Sequence, residues 1–387
     1  MPFLTGRVSF LRFCVACDRV AAFTQDHLDK LADRAAGRQR LASADGIEVG
    51  WSAGDSVLDT DFTLDKNVFP EHLHFEMRVD TDKLPSDLLK AYTAVELKAL
   101  AANNPSGIPS ARQKREAKEI ARERLEQEAK DGRYRKRKCF PVLWDARTNE
   151  VLFGATSVAN VDRFTTLFEQ TFGAKLEAMT AGRVAADATS NQNFNPLPDA
   201  APSAFCIGSA SDFAWIADSE DRSWLGNELL LWLWYHTDVI SDTLKLGDGS
   251  EVALMFARGL TLECPRGMTG ADSFAHEGPT RMPEARRAIQ AGKLPRKAGL
   301  TLARHDQQYE FALHAESFAV AGAKLPAPDD DTTDARGRIE VRFSKVRDLI
   351  ETLDLVYAVF LAKRLGRGWA EELSAMQKWL RREERAA

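Results

Sequence analysis

Long apolar runs are missing from this 387-residue chain. Those it has, such as LLLWLWY at 229–235, are far too short to span a bilayer, so no membrane partner is expected. The opening stretch, MPFLTGRVSFLRF, has no sustained apolar run ahead of its arginines and does not read as a signal peptide. Cysteine is scarce. The five residues at 14, 17, 139, 206 and 264 are odd in number and lack the spacing of a secreted disulfide framework. A cytoplasmic location is therefore expected. The GxxxxGK[ST], HExxH and GxSxG signatures are also absent, which removes the common NTPase, metalloprotease and α/β-hydrolase readings. No sustained internal repeat is visible.

What is present is an ordinary globular composition, 44% hydrophobic and 28% charged, with a formal net charge of -5. Against that acidic average, GRYRKRKCF (132–140) holds five Lys or Arg in nine positions. From Arg112 to Lys138 there are twelve Lys/Arg and six Asp/Glu, a local balance of +6. A polyanion responds to where charges sit, not to their sum over the chain.

The pattern along the chain reads as α+β, with mixed or antiparallel sheets and flanking helices. Residues 3–17 read as a strand, and Thr24 caps a helix bearing Leu28, Leu31, Ala32 and Ala35. GIEVGW (46–51) leads into a short strand. Leu73, Phe75, Met77 and Val79 alternate with polar residues as in a half-buried strand. LPSDLLKAYTAVELKAL (84–100) is a helix with Pro85 near its first turn and Ser86 as cap; NNPSGIPS breaks it. Residues 111–130 form a helix polar nearly all round, which projects into solvent or meets a polar partner. FPVLWD and EVLFGAT form a hairpin, and Ser157 opens a helix closed by Gly173. Residues 180–204 read as a linker or long loop and WLGNELLLWLWYHTD (224–238) as a short buried helix. Residues 266–283 read as irregular, RRAIQAGK as a helical turn, and GLTLAR and QYEFALHA as strands. LPAPDDDTTDARG reads as a loop, RIEVRF (338–343) as a strand, and 345–364 as an amphipathic helix. Four parts are expected: 1–80, the N-terminal part of a central domain; 81–180, a charged helix with a hairpin–helix that contacts DNA; 181–265, a linker with a Trp-rich insert; and 266–387, a C-terminal α+β domain with a dimerising helix.

The basic run is the strongest chemical signal. On the helix, Glu–Arg and Glu–Lys neighbours compete with any external use of the charge. Arg133, Arg135, Lys136, Arg137 and Lys138 have only Asp131 close by in sequence, and an extended strand sends alternate side chains to one side. Such a row fits phosphates along a backbone, with Tyr134 packing or stacking. No base-reading motif accompanies it, so binding is expected to be sequence-tolerant and salt-sensitive.

Weaker constellations have plainer roles. Cys14 and Cys17 form a lone CxxC on a strand pattern, expected as core or surface thiols, since a zinc site needs a second pair. His72, His74 and Glu76 share the polar face of one strand; a solvated face is expected, although HxHxE can bind a metal. Asp329, Asp330, Asp331 and Asp334 read as a turn-prone acidic loop. Trp224, Trp232 and Trp234 read as core or a subunit interface, with base stacking as the alternative. No catalytic residue, metal ligand or cofactor is assigned.

The order of four stretches resembles the recombination-associated RdgC family. They are GW at 50–51; LPSDLLKAYTAVELKAL, the charged helix and FPVLWDARTNEVLFGATSVANVDRFTTLFEQTFG; AIQAGKLPRKAGLTL (288–302) with QYEFALHA; and the closing strand with the helix at 345–364. The block around 205–250 and the tail after Gly366 have no counterpart in that pattern. The resemblance implies a homodimer closed into a ring with a positively charged hole, holding duplex DNA with little sequence preference. It also implies restraint of RecA-dependent strand exchange, association with the nucleoid, and recombinase-related proteins as further partners. Arg112, Lys114, Arg115, Lys118 and Arg122 with Arg133 to Lys138 would then face the hole. Lys293, Arg296 and Lys297 are a second basic group that would complete the lining. The family has also been labelled an exonuclease, but no nuclease constellation is visible. A metal-dependent DNA exonuclease and a protein-docking regulator of DNA metabolism are the rival readings.

Overall fold

The computed structural model describes residues 3–17, 19–38, 46–102, 104, 107–190, 196–205, 221–265, 270–327 and 334–381. The first half runs β1 (Val8–Val15), α1 (Gln25–Asp33), β2 (Ile47–Ser52), α2 (Leu64–Asn67), β3 (His72–Asp82), α3 (Ser86–Ala101), α4 (Ala111–Ala129), β4 (Arg135–Asp145), β5 (Glu150–Phe153), α5 (Val158–Phe172) and β6 (Leu176–Ala178). The second half runs α6 (Ala181–Thr189), α7 (Leu225–Tyr235), β7 (Thr243–Lys245), β8 (Glu251–Glu263), β9 (Asp272–Phe274), α8 (Pro283–Gln290), β10 (Leu294–Arg304), β11 (Gln307–His314), β12 (Val320–Lys324), α9 (Ala335–Arg364) and α10 (Trp369–Leu380). The strands form one open antiparallel path, β2-β3-β4-β5-β1-β12-β11-β10-β8-β7, with β6 added to β1 and β9 to β8. The expected α+β class with antiparallel strands and flanking helices is what is observed.

The two halves cover opposite faces of this sheet. β1 joins them: its Val8 and Phe10 pair with β12, while Leu11 to Cys14 pair with β5. Strand alternation sends Leu11 and Phe13 to one side and Val8, Phe10 and Arg12 to the other. On the first side Phe13, Trp51, Phe75, Val142 and Phe153 pack under α1 and α5, where the Phe153 and Phe164 rings stack at 4.0 Å. On the second side Val8, Phe10, Leu300, Leu302 and Leu313 pack under α6, α7 and α9. Every residue of α7 is buried, so Trp232 and Trp234 are core residues. Gly226 of α7 lies where a Cβ would fall 1.9 Å from the Ala315 carbonyl oxygen, so only glycine lets α7 approach the sheet this closely.

Several expectations need correction. RIEVRF is not a strand but the start of α9, which Asp334 caps by accepting from Gly337 N. Its β-branched residues suggested a strand, yet Phe343 packs edge-on against Phe69 at 5.0 Å and extends the helical stripe of Val346, Leu349 and Leu353. That apolar stripe is buried in the chain's own core, so α9 does not offer it for dimerisation. The linker at 180–204 contains α6, opened by Thr180 accepting from Arg183 N. Pro85, not Ser86, is the N-cap of α3. The stretch read as irregular holds β9, and β8 and α10 were not anticipated. The tail after Gly366 is tied in by α10, whose Trp379 is 3% exposed and donates to Asp238 (2.6 Å).

The half-buried reading of β3 also fails. His72, His74 and Glu76 are 8%, 2% and 3% exposed, because their face is roofed rather than solvated. Phe343 of α9 stacks on the His74 ring at 6.1 Å, and Asn67 ties the roof down by donating to the Ala53 and His74 carbonyls. Burial depresses the His74 pKa to about 4 and raises that of Glu76. Burial, with Glu76 nearby, pushes the Cys139 thiol up to about 12. Cys14 is half-buried and Cys17 exposed, and neither is in a disulfide. Asp329 to Asp331 and Cys206 lie outside the described residues.

Candidate nucleic-acid interface

The basic run lies mostly within β4, and its neighbour β3 decides what each cation faces. The two strands pair in register from Asp82↔Arg135 to His72↔Asp145. Residues opposite each other share a face, so Arg137 lies beside Asp80 and Arg135 beside Asp82. Arg135 is clamped by Glu48 (3.1 Å) and Asp82 (2.9 Å), and Arg137 approaches Asp80 at 3.7 Å. Beneath them Arg78 and Asp80 pair at 2.9 Å with both side chains buried. The Arg135–Asp82 hydrogen bonds raise the arginine pKa and lower that of the carboxyl. The expectation that only Asp131 compensates this run is therefore wrong: β2 and β3 supply acids that adjacency in sequence hides.

Lys136 and Lys138 point the other way. Lys138 is opposite Val79 and Lys136 opposite Thr81, on the side covered further along by α5. Both are exposed, and neither has an ion-pair partner among the described residues. Arg133 is held by its neighbour Asp131 at 2.6 Å. Tyr134 does not stack; it donates to Glu128 (2.9 Å), as does Tyr92 (3.0 Å), which anchors the end of α4 to α3.

The helices α3 and α4 form a hairpin inserted between β3 and β4. Along α4, Ala117, Ala121 and Leu125 are fully buried at fourfold spacing. The helix expected to be polar nearly all round therefore carries a thin apolar stripe, which α3 covers. Its other faces carry cations of two kinds. Arg122 and Arg124 pair with Glu126 (2.8 Å) and Glu128 (3.6 Å) one turn on. Arg112, Lys114, Arg115 and Lys118 are exposed without an ion pair among the described residues. Lys83, Lys90, Lys98 and Lys130 share that condition and were missed because they stand singly in the sequence.

The second basic group divides in the same way. Lys293 is held by Asp272 (2.8 Å), and Arg296 by Glu263 (2.8 Å) and Glu316 (2.9 Å); these two are structural cations. Lys297 lies opposite Thr261 and His314 on the sheet face that helices leave open. Its neighbours Ala298, Leu300 and Leu302 turn inward and are buried. A shallow groove of about 360 Å³ crosses this open face, lined by Lys297, Thr261, Thr301, Arg7, Arg258 and the acid Glu310. Burial, and then the charges of Lys297 and Arg296, lower the His314 pKa. Arg7 and Arg258 were also missed: they are lone arginines, and only strand pairing brings them here. Arg258 contacts Glu310 at 2.7 Å.

Following strand alternation across β1 puts these cations on one side. Lys138 shares a face with Val79, Phe153 and Leu11, and Ser9 carries that face onward, accepting from Gly322 N (2.8 Å) at the groove. Lys136, Lys138 and Lys297 thus occupy the same face of one continuous sheet. Among the described residues no group of three or more His, Cys, Asp or Glu side chains converges as a metal site. Among them, too, no helix is long and apolar enough to cross a membrane. The chain matches no family model and no curated protein.

Proposed function

We propose that this chain binds duplex DNA with little regard to sequence, through phosphate contacts, and that it does so as a ring-shaped homodimer of the RdgC kind. The observation that carries the reading is the set of lysines without acidic partners, Lys136, Lys138 and Lys297, on one face of the sheet. The unpaired cations of α4 add to it. Lysines without acidic neighbours exchange their counter-ions for phosphates at little cost, and none sits in a base-reading motif. An acidic net charge is compatible with this, because the acids that pair with the two basic groups hold Arg135, Arg137, Lys293 and Arg296 and not the open lysines.

The α3–α4 hairpin supports assembly. No residue of α3 is buried, and Val95 and Ile108 are 59% and 72% exposed at or near its tip. Apolar side chains left exposed on the outer side of the hairpin fit a second copy of the same hairpin. A dimer joined there is the proposed basis of the ring. The mechanism is steric: a ring on duplex DNA occupies the substrate of a recombinase and restrains RecA-dependent strand exchange without making or breaking a bond. Nucleoid association in the cytoplasm and contact with recombinase-related proteins follow from the same reading.

The deciding experiment compares a linear duplex with a covalently closed circle of the same sequence, across a salt series and without Mg²⁺. Retention on the circle at salt that releases the linear duplex supports encirclement. Equal, salt-sensitive binding to both leaves a surface binder. No binding to either overturns the proposal and moves the weight to a protein-docking role for the hairpin.

A further inference from the structure

Where α9 crosses the β4–β5 hairpin, helix and sheet do not close on each other. They leave a cavity of about 360 Å³, within the size range of small-ligand pockets. Its floor is apolar: Leu143 and Leu152 from the sheet face Phe343, Val346 and Ile350 from α9. Two arginines, Arg347 in the lining and Arg12 bonded to the lining residues Glu150 and Asp354, are each held between two carboxylates. Arg12, 2% exposed, bonds Glu150 (3.0 Å) and Asp354 (2.6 Å). Arg347 bonds Asp145 (3.0 Å) and Glu71 (2.8 Å), with its remaining nitrogen 2.9 Å from His72 Nε2.

The two clusters leave a definite imbalance. Four carboxylates are set against two guanidinium groups, each nitrogen of which already has a partner. Burial works to raise the Asp145 pKa, but the His72 hydrogen bond and the Arg347 charge override it and hold it at about 2. On the rim, exposed Arg147 is offset by Glu351, which Arg304 reaches only at 3.5 Å while also bonded to Asp248. The walls therefore keep an excess of negative charge around an apolar floor, at a seam built from both halves of the chain.

We propose that this cavity binds a small amphipathic cation, an apolar body of roughly ring size carrying an ammonium or guanidinium group. The apolar part displaces solvent from Leu143, Leu152 and Ile350. The cation supplies the charge that the doubly shared arginines leave unmet, in a partly dry site where it is weakly screened. Neither step depends on DNA binding.

The test uses the full chain and three probes of one shape: 2-phenylethylamine, 2-phenylethanol and 3-phenylpropionate. Affinity is read by ligand-observed NMR and by the rise in melting temperature that folded-state binding produces. The amine is expected to bind about tenfold more tightly than the alcohol, a difference of about 1.4 kcal/mol, and the carboxylate more weakly than both. Ile350→Trp, which fills the half-buried floor, should abolish binding of all three. Glu351→Lys, at an exposed rim position, should reduce the amine's advantage by at least about threefold while leaving the fold intact. Equal affinity for the three probes overturns the proposal. So does amine binding that survives a folded Ile350→Trp, an amine preference unmoved by Glu351→Lys, or no amine binding at millimolar concentration.

Discussion

The two faces of β4 start from nearly the same residues and end with opposite roles. Arg135 and Arg137 lie over Glu48, Asp80 and Asp82, while Lys136 and Lys138, one position away, form no ion pair among the described residues. The difference comes from β3, whose alternation places its carboxylates on one side only. A run of cations in a strand is therefore two rows, and each row takes its function from the partner strand. The arginine row locks the sheet end, and the lysine row is the one proposed to meet a polyanion.

The largest test of that division lies beneath the arginine row. Arg78→Met leaves Asp80 buried with Arg137 and Arg135 no closer than 3.7 and 4.0 Å. It should cost about 3 kcal/mol in urea denaturation, since stranding one partner of a buried pair is costly. A loss below about 0.5 kcal/mol would show that the arginine row is not structural.

A nearly equal effect is expected from pH on the same roofed face. The His74 pKa falls from 6.5 to about 4 on folding, so the folded state resists protonation. Its contribution is complete above pH 6.5 and is lost as pH falls through 4. The shift corresponds to about 3 kcal/mol. His74→Phe should flatten stability between pH 6.5 and 4 in denaturant titrations, and an unchanged slope would mean that the site opens to water.

The lysine row gives a smaller and different signature. Lys136→Ala with Lys138→Ala should leave stability within about 0.5 kcal/mol while weakening duplex binding on every sequence. The slope of log affinity against log salt should become shallower by about 2. Arg135→Ala with Arg137→Ala should show the reverse, lost stability with a slope changed little. Smallest is the single Lys297→Ala change, flattening the slope by about 1; Lys293→Ala, which removes a cation already held by Asp272, should leave it unchanged. Equal slopes for these two would remove the second half of the sheet from the interface.

Much of the architecture was legible because local signals agreed with the final packing. Thr24, Ser157 and Gly173 mark helix ends where the helices begin and stop, and the β4–β5 and β10–β11 hairpins follow from alternation on either side of turn residues. The failures share one cause. RIEVRF has the composition of a strand, but Phe343 gains more against Phe69 and His74 as part of a helix. The HxHxE face has the polarity of a solvated strand, but α9 comes from more than 250 residues away to cover it. β8 is not legible in the sequence although it forms a long ladder with β10, because it falls inside the 181–265 part read as linker and Trp-rich insert.

By itself the sequence determined that this is an α+β chain with a concentration of positive charge between residues 112 and 138, and that the charge lies on one helix and one strand. These are properties of composition and short-range periodicity, which act within a few residues. Only the tertiary structure decided which cations remain open. That choice depends on strand register, which brings Asp80 to Arg137 and Val79 to Lys138, and on helices that cover opposite faces of the sheet in its two halves. Charges separated by fifty residues in sequence neutralise each other at 3 Å once the strands pair, and no local pattern encodes that distance.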